Sequence, residues 1–218
     1  MTADGRAAVF LDRDGTLTHP RHYPSRPADL VLYDDVVPFL LRLQRRGVLL
    51  IVVTNQSGIA RGLFSEHEFE AAQASVDQRL AGLGVRLDGV YHCPHHLEGS
   101  VPALSVRCSC RKPEPGMLMR AAAQHGVDLR RSWMIGDAPT DVEAGHRAGC
   151  RCILVHRAQD VDAAAASGGS LVAASTAEAL GHVLRMLEAE GEVVAAVRRT
   201  ALAPGEAGLA PGTTEGLG

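Results

Sequence analysis

The stretch "VFLDRDGTL", residues 9–17, passes from an apolar run to two acids and a glycine. The apolar run predicts a short buried strand, and Gly15 with the threonine after it predicts the turn that ends this strand. Because side chains alternate along an extended chain, we expect Asp12 and Asp14 to point to one side and Arg13 to point away. Two carboxylates that face one spot repel each other unless a cation lies between them. The stretch therefore predicts a divalent cation at the tip of a strand.

Strands alternate with helices along the rest of the chain. Further apolar runs predict five more strands, at residues 49–53, 89–92, 133–135, 152–155 and 171–173. Helices are predicted from Val36 to a stop at Gly47, from the capping box Ser65/Glu68 toward Leu80, after Pro115, after Pro139 and over 176–190. This alternation indicates an α/β fold, a three-layer, Rossmann-like parallel sheet with helices on both faces. Only one predicted helix lies between the first two strands, so no large cap domain is expected.

Length and composition limit the class of protein. The 218 residues suit one domain, which we place at residues 1–190. From residue 191 the chain is rich in alanine, glycine and proline with little periodicity, which predicts a flexible tail over 191–218. A net charge of −3 and an aromatic content of 4% disfavour nucleic acid as a partner. No apolar run is long enough for a signal peptide or a membrane span, so we expect a cytoplasmic monomer without membrane contact.

Polar motifs follow three of the predicted strands: "TNQSG" (54–58), "CPHH" (93–96) and "GDAPTD" (136–141). In parallel sheets ligands bind at the carboxyl ends of the strands, so these motifs and the two acids should share one rim. Lys112 is the single lysine among 22 lysine and arginine residues. Because arginine replaces lysine at every other basic position, the lysine at 112 indicates a site that needs a compact ammonium and that a planar guanidinium does not fit.

The acids and the lysine are suited to phosphoryl transfer. An aspartate at a strand tip can attack phosphorus and form an acyl phosphate, and we assign this nucleophilic role to Asp12. Asp14 is placed to protonate the leaving alkoxide and later to activate water. Thr54 and Asn55 would donate hydrogen bonds to the phosphoryl oxygens, and Lys112 would neutralise their charge. Asp137 would complete a Mg²⁺ site with Asp12 and the backbone carbonyl of Asp14.

A second cluster has the spacing of a zinc site. Two close pairs are separated by twelve residues, and together they offer three thiols and one imidazole: Cys93, His95, Cys108 and Cys110. Four ligands leave no open position, so we expect structural Zn²⁺ in a loop insert over about 93–110. We interpret His96 as a bystander, and Cys150 and Cys152 as small buried hydrophobes on a strand. Because Arg111 and Lys112 directly follow the last ligand, zinc would fix the chain that carries both cations to the phosphate rim.

Over residues 7–157 the chain resembles the haloacid dehalogenase (HAD) superfamily. The resemblance rests on the order of four motifs: Asp-x-Asp-Gly-Thr, a strand that ends in Thr, Lys-Pro, and Gly-Asp-x-x-x-Asp. The predicted zinc insert resembles one branch of this superfamily, the heptose-bisphosphate and histidinol-phosphate phosphatases. The motifs that carry this resemblance are "DRDGT", "TNQSGIARG", "CPHH", "CSCRKPEPGM" and "GDAPTDVEAG". The histidinol enzymes have a shorter loop between the ligand pairs, so the gap of twelve favours the heptose enzymes. The chain departs from the heptose pattern at Thr18 and at His156, in loops that border the site.

This resemblance implies a Mg²⁺-dependent phosphatase of heptose biosynthesis that removes the C7 phosphate of D-glycero-D-manno-heptose 1,7-bisphosphate. Its partner would be a small phosphorylated sugar, and the product heptose 1-phosphate. Contacts to the sugar or the distal phosphate are expected from His22, Tyr23, Asn55, Gln56, Ser57 and Arg111.

Three alternatives remain open. The first is a histidinol-phosphate phosphatase, which the loop length disfavours. The second is a phosphatase of nucleic-acid 3′ ends, which the acidic net charge disfavours because such an enzyme needs a basic groove. The third is a non-enzymatic zinc-containing binding module, which the joint presence of the predicted nucleophile, acid, lysine and metal ligands disfavours.

Overall fold

A six-stranded parallel sheet forms the centre of the molecule. The computed structural model describes residues 5–156 and 170–202. The strands are β1 (Ala8–Leu11), β2 (Leu49–Asn55), β3 (Gly89–Cys93), β4 (Trp133–Gly136), β5 (Arg151–Val155) and β6 (Leu171–Ala173). All pair in parallel, in the order β3-β2-β1-β4-β5-β6. The six strands predicted from the sequence are confirmed.

Helices connect the strands. They are α1 (Val37–Arg45), α2 (Ser57–Ala60), α3 (Glu66–Gly82), α4 (Gly116–His125), α5 (Pro139–Ala148) and α6 (Thr176–Leu202). The predicted capping box is present at the start of α3, where the Glu68 amide donates to Ser65 Oγ at 3.2 Å and the Ser65 amide donates to Glu68 Oε2 at 2.7 Å. Helix α2 was not predicted, because four residues are too few to show helical periodicity.

The last helix is longer than the sequence analysis expects. It continues to Leu202, although we expected irregular chain from residue 191. Alanine, glutamate, leucine and arginine, which have high helix propensity, occur over residues 191–202. The whole of 191–218 was judged by its alanine, glycine and proline content, and this helical part was therefore missed. Residues 203–218 of the expected tail lie outside the described residues. The chain divides into two compact units, one ending at Leu184 and the other beginning at Arg185.

The middle of the sheet positions the functional groups. Every residue of β1 and β4 is buried, because layers of helix cover both faces of these strands. The chain moves outward from β1 to β2 and β3, then returns to β4 on the other side of β1. The connections at the β1–β4 step therefore diverge, which leaves a crevice at the carboxyl ends of the two strands.

No inserted domain lies above this crevice along residues 12–48, all of which the structure describes. The segment holds two short 3₁₀ helices and α1, which confirms the expectation of a fold without a large cap there. Among the described residues, no helix combines the length and apolar character needed to cross a bilayer.

Candidate active site and zinc cluster

Lys112 binds three acceptors at the end of β1. Its Nζ lies 2.7 Å from Asp12 Oδ1, 2.6 Å from Asp141 Oδ1 and 2.7 Å from the carbonyl oxygen of Val53. An ammonium carries three N–H donors, so each has one partner. The Lys112 side chain is only 2% exposed. A compact, fully paired ammonium explains why lysine rather than arginine stands here.

The charges around Lys112 do not balance. The pKa of Asp12 is raised to about 7, chiefly by burial; Lys112 opposes this shift, and the neighbouring Asp141 and Asp14 carboxylates add to it. Burial alone would lower the pKa of Lys112, but Asp12 and Asp141 outweigh it, so the net shift is upward. One ammonium therefore faces more than one buried carboxylate, and a further cation would stabilise all of them.

Asp137 brings a third carboxylate to this position. Carboxylate oxygens of Asp12, Asp137 and Asp141 lie within 4.8 Å of one another. Gly15, with a φ of 91°, leaves the room for this approach, because a Cβ at Gly15 would overlap the Asp137 carboxylate. Both oxygens of Asp141 already accept hydrogen bonds, one from Lys112 and one from the Ala138 amide at 3.0 Å. Asp141 therefore holds Lys112 in place as well as facing the other acids.

Asp14 lies in a separate set of contacts. Its carboxylate accepts from Arg13 Nε at 2.9 Å, Arg13 Nη2 at 2.8 Å and Gln56 Nε2 at 2.9 Å. Thr18 Oγ1 lies 3.4 Å from Asp14 Oδ1. The expectation that Arg13 points away from the acids is wrong, because Asp14 lies beyond the end of β1, in the turn, where strand alternation no longer applies.

The end of β2 is joined to the loop that carries Lys112. Asn55 Nδ2 donates to the Lys112 carbonyl at 3.1 Å, and the Lys112 amide donates to Asn55 Oδ1 at 3.0 Å. Thr54 is 1% exposed, and its Oγ1 accepts from Gln56 Nε2 at 2.9 Å. The structure thus brings Asp12, Thr54 and Lys112 to one rim, as the motif order predicted.

The four expected zinc ligands form one cluster. Sγ of Cys93 lies 3.6 Å from Sγ of Cys108, 3.2 Å from Sγ of Cys110 and 3.6 Å from Nδ1 of His95. Tetrahedral Zn²⁺ with Zn–S bonds of about 2.3 Å would separate two sulfurs by roughly 3.8 Å. Burial raises the pKa of the Cys93 thiol, so a cation is needed to hold it ionised. His96 lies outside the cluster, with its ring 3.3 Å from Arg61 Nη2.

The expected substrate contacts line three cavities. A cavity of about 180 Å³ is lined by Asp14, Tyr23, Asn55, Gln56 and Ser57, among others. His22 and Tyr23 line a second cavity of about 440 Å³. Arg111 and Lys112 line a third, of about 640 Å³, and Arg111 Nη1 donates to the His95 carbonyl at 3.3 Å.

Sequence reasoning missed three residues of the site. Asp141 closes the "GDAPTD" motif, so its spacing from Asp137 was a usable signal. Arg13 was assigned to the wrong direction, and Thr18 was noted only as a departure from a pattern.

His156 is half-buried, and its amide donates to the Ala173 carbonyl at 2.8 Å. Cys150 and Cys152 are buried on and beside β5, as interpreted, and burial raises the pKa of each thiol to about 12.

A parallel α/β sheet with a buried aspartate and lysine at the tip of its first strand defines the class of HAD-like hydrolases. The family model for HAD-hydrolase-like proteins matches residues 109–179. The D-glycero-beta-D-manno-heptose-1,7-bisphosphate 7-phosphatase of Photorhabdus laumondii is 40% identical over 176 residues, which span 80% of this chain and 93% of the relative. The protein of the same name from Escherichia coli K12 is 44% identical over 137 residues, 63% of this chain and 72% of the relative. The chain belongs to this heptose-bisphosphate phosphatase family of HAD-like phosphoric monoester hydrolases.

Solved structures agree with this family assignment. A HAD-like phosphatase from Mesorhizobium loti aligns with a TM-score of 0.74 at 37% identity, over 87% of this chain and 89% of that one. The D,D-heptose 1,7-bisphosphate phosphatase of B. bronchiseptica, solved with magnesium and phosphate, aligns with a TM-score of 0.71 at 29% identity. That alignment covers 83% of this chain and 99% of the other. The shared fold therefore extends over nearly the whole length of these relatives.

Proposed function

We propose that this chain is a Mg²⁺-dependent phosphatase that removes the C7 phosphate of D-glycero-β-D-manno-heptose 1,7-bisphosphate and leaves heptose 1-phosphate. The observation that carries the chemistry is the buried Asp12–Lys112–Asp141 arrangement at the tips of β1 and β4. The substrate is inferred from the Photorhabdus relative, which is 40% identical along 93% of its length. We keep the cytoplasmic location and the monomeric state as predictions from the sequence.

The reaction proceeds in two steps. In the first, an Asp12 carboxylate oxygen attacks phosphorus, the bond from phosphorus to the sugar oxygen breaks, and Asp14 gives its proton to the leaving alkoxide. In the second, Asp14 takes a proton from water, and the water oxygen attacks phosphorus. The bond between phosphorus and Asp12 then breaks, which releases inorganic phosphate and restores the free carboxylate. Thr54 and Lys112 hold the phosphoryl oxygens throughout.

The carboxylates at the rim fit Mg²⁺. This cation prefers oxygen ligands, and the acids Asp12 and Asp137 offer them within a buried, negatively charged position beside the Asp14 backbone. When bound, Mg²⁺ would offset the charge of the phosphoryl group and of the acids. Lys112 supplies part of the same compensation from the protein itself, because it contacts Asp12 directly.

The thiol cluster fits Zn²⁺ as a structural ion. Three sulfurs and one ring nitrogen already lie at nearly tetrahedral ligand spacing. Its role would be to hold residues 93–110 in one conformation. Through Cys110 it would also position Arg111 and Lys112, the two cationic residues that follow. Arg111 is held to this loop by its hydrogen bond to the His95 carbonyl. Without a large cap over the crevice, this loop and the loop with His22 and Tyr23 would enclose the substrate.

The test is phosphate release with Mg²⁺ present from a panel of four compounds: the β and α anomers of heptose 1,7-bisphosphate, histidinol phosphate and a 3′-phosphorylated oligonucleotide. We expect kcat/KM for the β anomer to exceed the others at least a hundredfold, which corresponds to about 2.7 kcal/mol of differential transition-state binding. Preference for histidinol phosphate would overturn the substrate assignment while leaving the chemistry intact. Lack of release from every compound would overturn the proposed function.

A further inference from the structure

Arg13 and Gln56 together donate three hydrogen bonds to the Asp14 carboxylate. Arg13 donates twice, from Nε to Oδ1 and from Nη2 to Oδ2, which is the bidentate geometry that best fixes a planar carboxylate. Gln56 Nε2 donates to Oδ2 at 2.9 Å, and Thr18 Oγ1 lies 3.4 Å from Oδ1. Thr18 Oγ1 also lies 3.1 Å from the Arg13 carbonyl oxygen, which is the nearer acceptor for its single hydrogen, so the three bonds from Arg13 and Gln56 are the ones that hold Asp14. The Asp14 side chain nevertheless remains 23% exposed, so one side of it stays open to a substrate.

The donors are themselves immobilised. The Arg13 side chain is 0% exposed, and its guanidinium carbon lies 5.2 Å from the centre of the Phe69 ring. Residue Gln56 is 3% exposed, and its Nε2 contacts both Asp14 Oδ2 and Thr54 Oγ1. An amide nitrogen has two hydrogens, so Gln56 uses both within the protein. Because Thr54 Oγ1 accepts one of them, the Thr54 hydroxyl hydrogen is left to point elsewhere, toward a phosphoryl oxygen in the proposed reaction.

We propose that Arg13 and Gln56 are positioning residues, a buried clamp that holds the Asp14 carboxylate in the orientation from which it transfers protons. This inference rests on the proposed function, in which Asp14 is the acid and base. It gives Gln56 a different role from the sugar contact expected from the sequence. General acid catalysis contributes typically about 10²–10⁴-fold and needs the donor within hydrogen-bond reach, so loss of orientation costs part of that factor.

The readout is sensitivity to the leaving group. Phenyl phosphate and p-nitrophenyl phosphate have similar shapes and no sugar, but p-nitrophenolate departs without a proton, whereas phenolate benefits from one. The ratio of their kcat/KM values therefore reports proton donation by Asp14. Because both values come from the same preparation, any misfolded fraction cancels in the ratio. Asp14→Asn sets the ratio expected when proton donation is lost.

The first variant is Arg13→Lys, which keeps the positive charge but cannot donate two parallel hydrogen bonds to one carboxylate. The second is Gln56→Met, which keeps the side-chain volume but loses both amide hydrogens. Arg86→Lys is the matched control, because Arg86 pairs with Asp88 at 3.1 Å and its side chain is 78% exposed. We expect the phenyl to p-nitrophenyl ratio to fall at least tenfold in both clamp variants and in Asp14→Asn, and to stay at the wild-type value in Arg86→Lys.

Two results would overturn the clamp and leave the proposed function standing. One is an unchanged ratio in Arg13→Lys and Gln56→Met while Asp14→Asn lowers it. The other is an unchanged ratio with a lower kcat/KM for heptose bisphosphate alone, which would mean that Gln56 contacts the sugar. A wild-type protein that cleaves no phosphate ester would overturn the proposed function, and the clamp with it.

Discussion

The carboxylate–lysine site and the thiol–imidazole cluster differ in what holds them together. Asp12 and Lys112 are 100 positions apart, yet they meet because parallel strands end at one rim and because their charges are opposite. The cluster instead joins two short pairs across a loop, in which Cys93 stands 15 and 17 positions before Cys108 and Cys110. Once ionised, its thiols would repel one another unless a cation lies among them.

This difference indicates two kinds of dependence on metal. The carboxylate–lysine site contains its own cation, so its geometry should persist without Mg²⁺, although the proposed chemistry would need that ion. The thiol cluster contains none, so the loop geometry should depend on Zn²⁺. The two regions are linked through the chain from Cys110 to Lys112, and loss of zinc should therefore reach the active site indirectly.

The largest expected effect comes from Asp12, the proposed nucleophile. Asp12→Asn removes the attacking carboxylate but keeps its size and its hydrogen bond with Lys112, so kcat should fall by about 10⁴-fold or more with the fold intact. Phosphate release and circular dichroism of the purified variant would measure both quantities. Retention of wild-type kcat would refute the assignment of Asp12 and with it the two-step reaction.

Lys112 is expected to affect both activity and stability. Lys112→Met leaves buried Asp12 and Asp141 without their shared ammonium, which should cost about 3 kcal/mol of unfolding free energy and most of the activity. Urea denaturation with and without Mg²⁺ would measure the loss, and Mg²⁺ should reduce it. Lys112→Arg should restore little, because a guanidinium does not fit the three acceptors. Full activity in Lys112→Arg would show that charge alone matters here.

Removal of each metal should separate the two regions. Taking away Mg²⁺ should stop turnover reversibly and lower the melting temperature less than removal of Zn²⁺ does, with the fold intact. Stripping Zn²⁺ with a strong chelator should lower the melting temperature by roughly 6 °C or more and reduce kcat, because the loop before Arg111 loses the ion that would hold its four ligands together. Calorimetry and phosphate release on the same samples would test this. A zinc-free protein that is equally stable and fully active would contradict the link between the two regions.

The smallest expected effect distinguishes the cysteines. With zinc removed, Cys108 and Cys110, which are half-buried, should react with a thiol reagent within minutes. Cys150 and Cys152 should stay protected until the protein unfolds, because both are buried and burial raises their pKa to about 12. Mass spectrometry of the alkylated protein would identify the modified positions. Early modification of Cys152 would contradict its assignment to the core.

Periodicity and motif order were enough to predict much of the site. The six strands followed from their apolar runs, Asp12 and Thr54 each stood at or beyond a strand end, and Lys112 followed closely on the last predicted zinc ligand. The cluster of three thiols and one imidazole followed from two close pairs in the sequence. The failures were local: strand alternation did not extend to Asp14 in the turn, and composition did not reveal the helix beyond residue 190.

By itself, then, the sequence determined the order of the strands along the chain, the residue types at their ends and the family. The reason is that hydrophobic spacing and motif spacing are both properties of the linear order of residues. Only the tertiary structure decided how the acids are divided, with Asp12 and Asp141 on Lys112 and Asp14 on Arg13 and Gln56. The reason is that a buried charge takes whichever partner the folded chain places within hydrogen-bond distance, and residues 100 positions apart acquire that distance only when the sheet is formed.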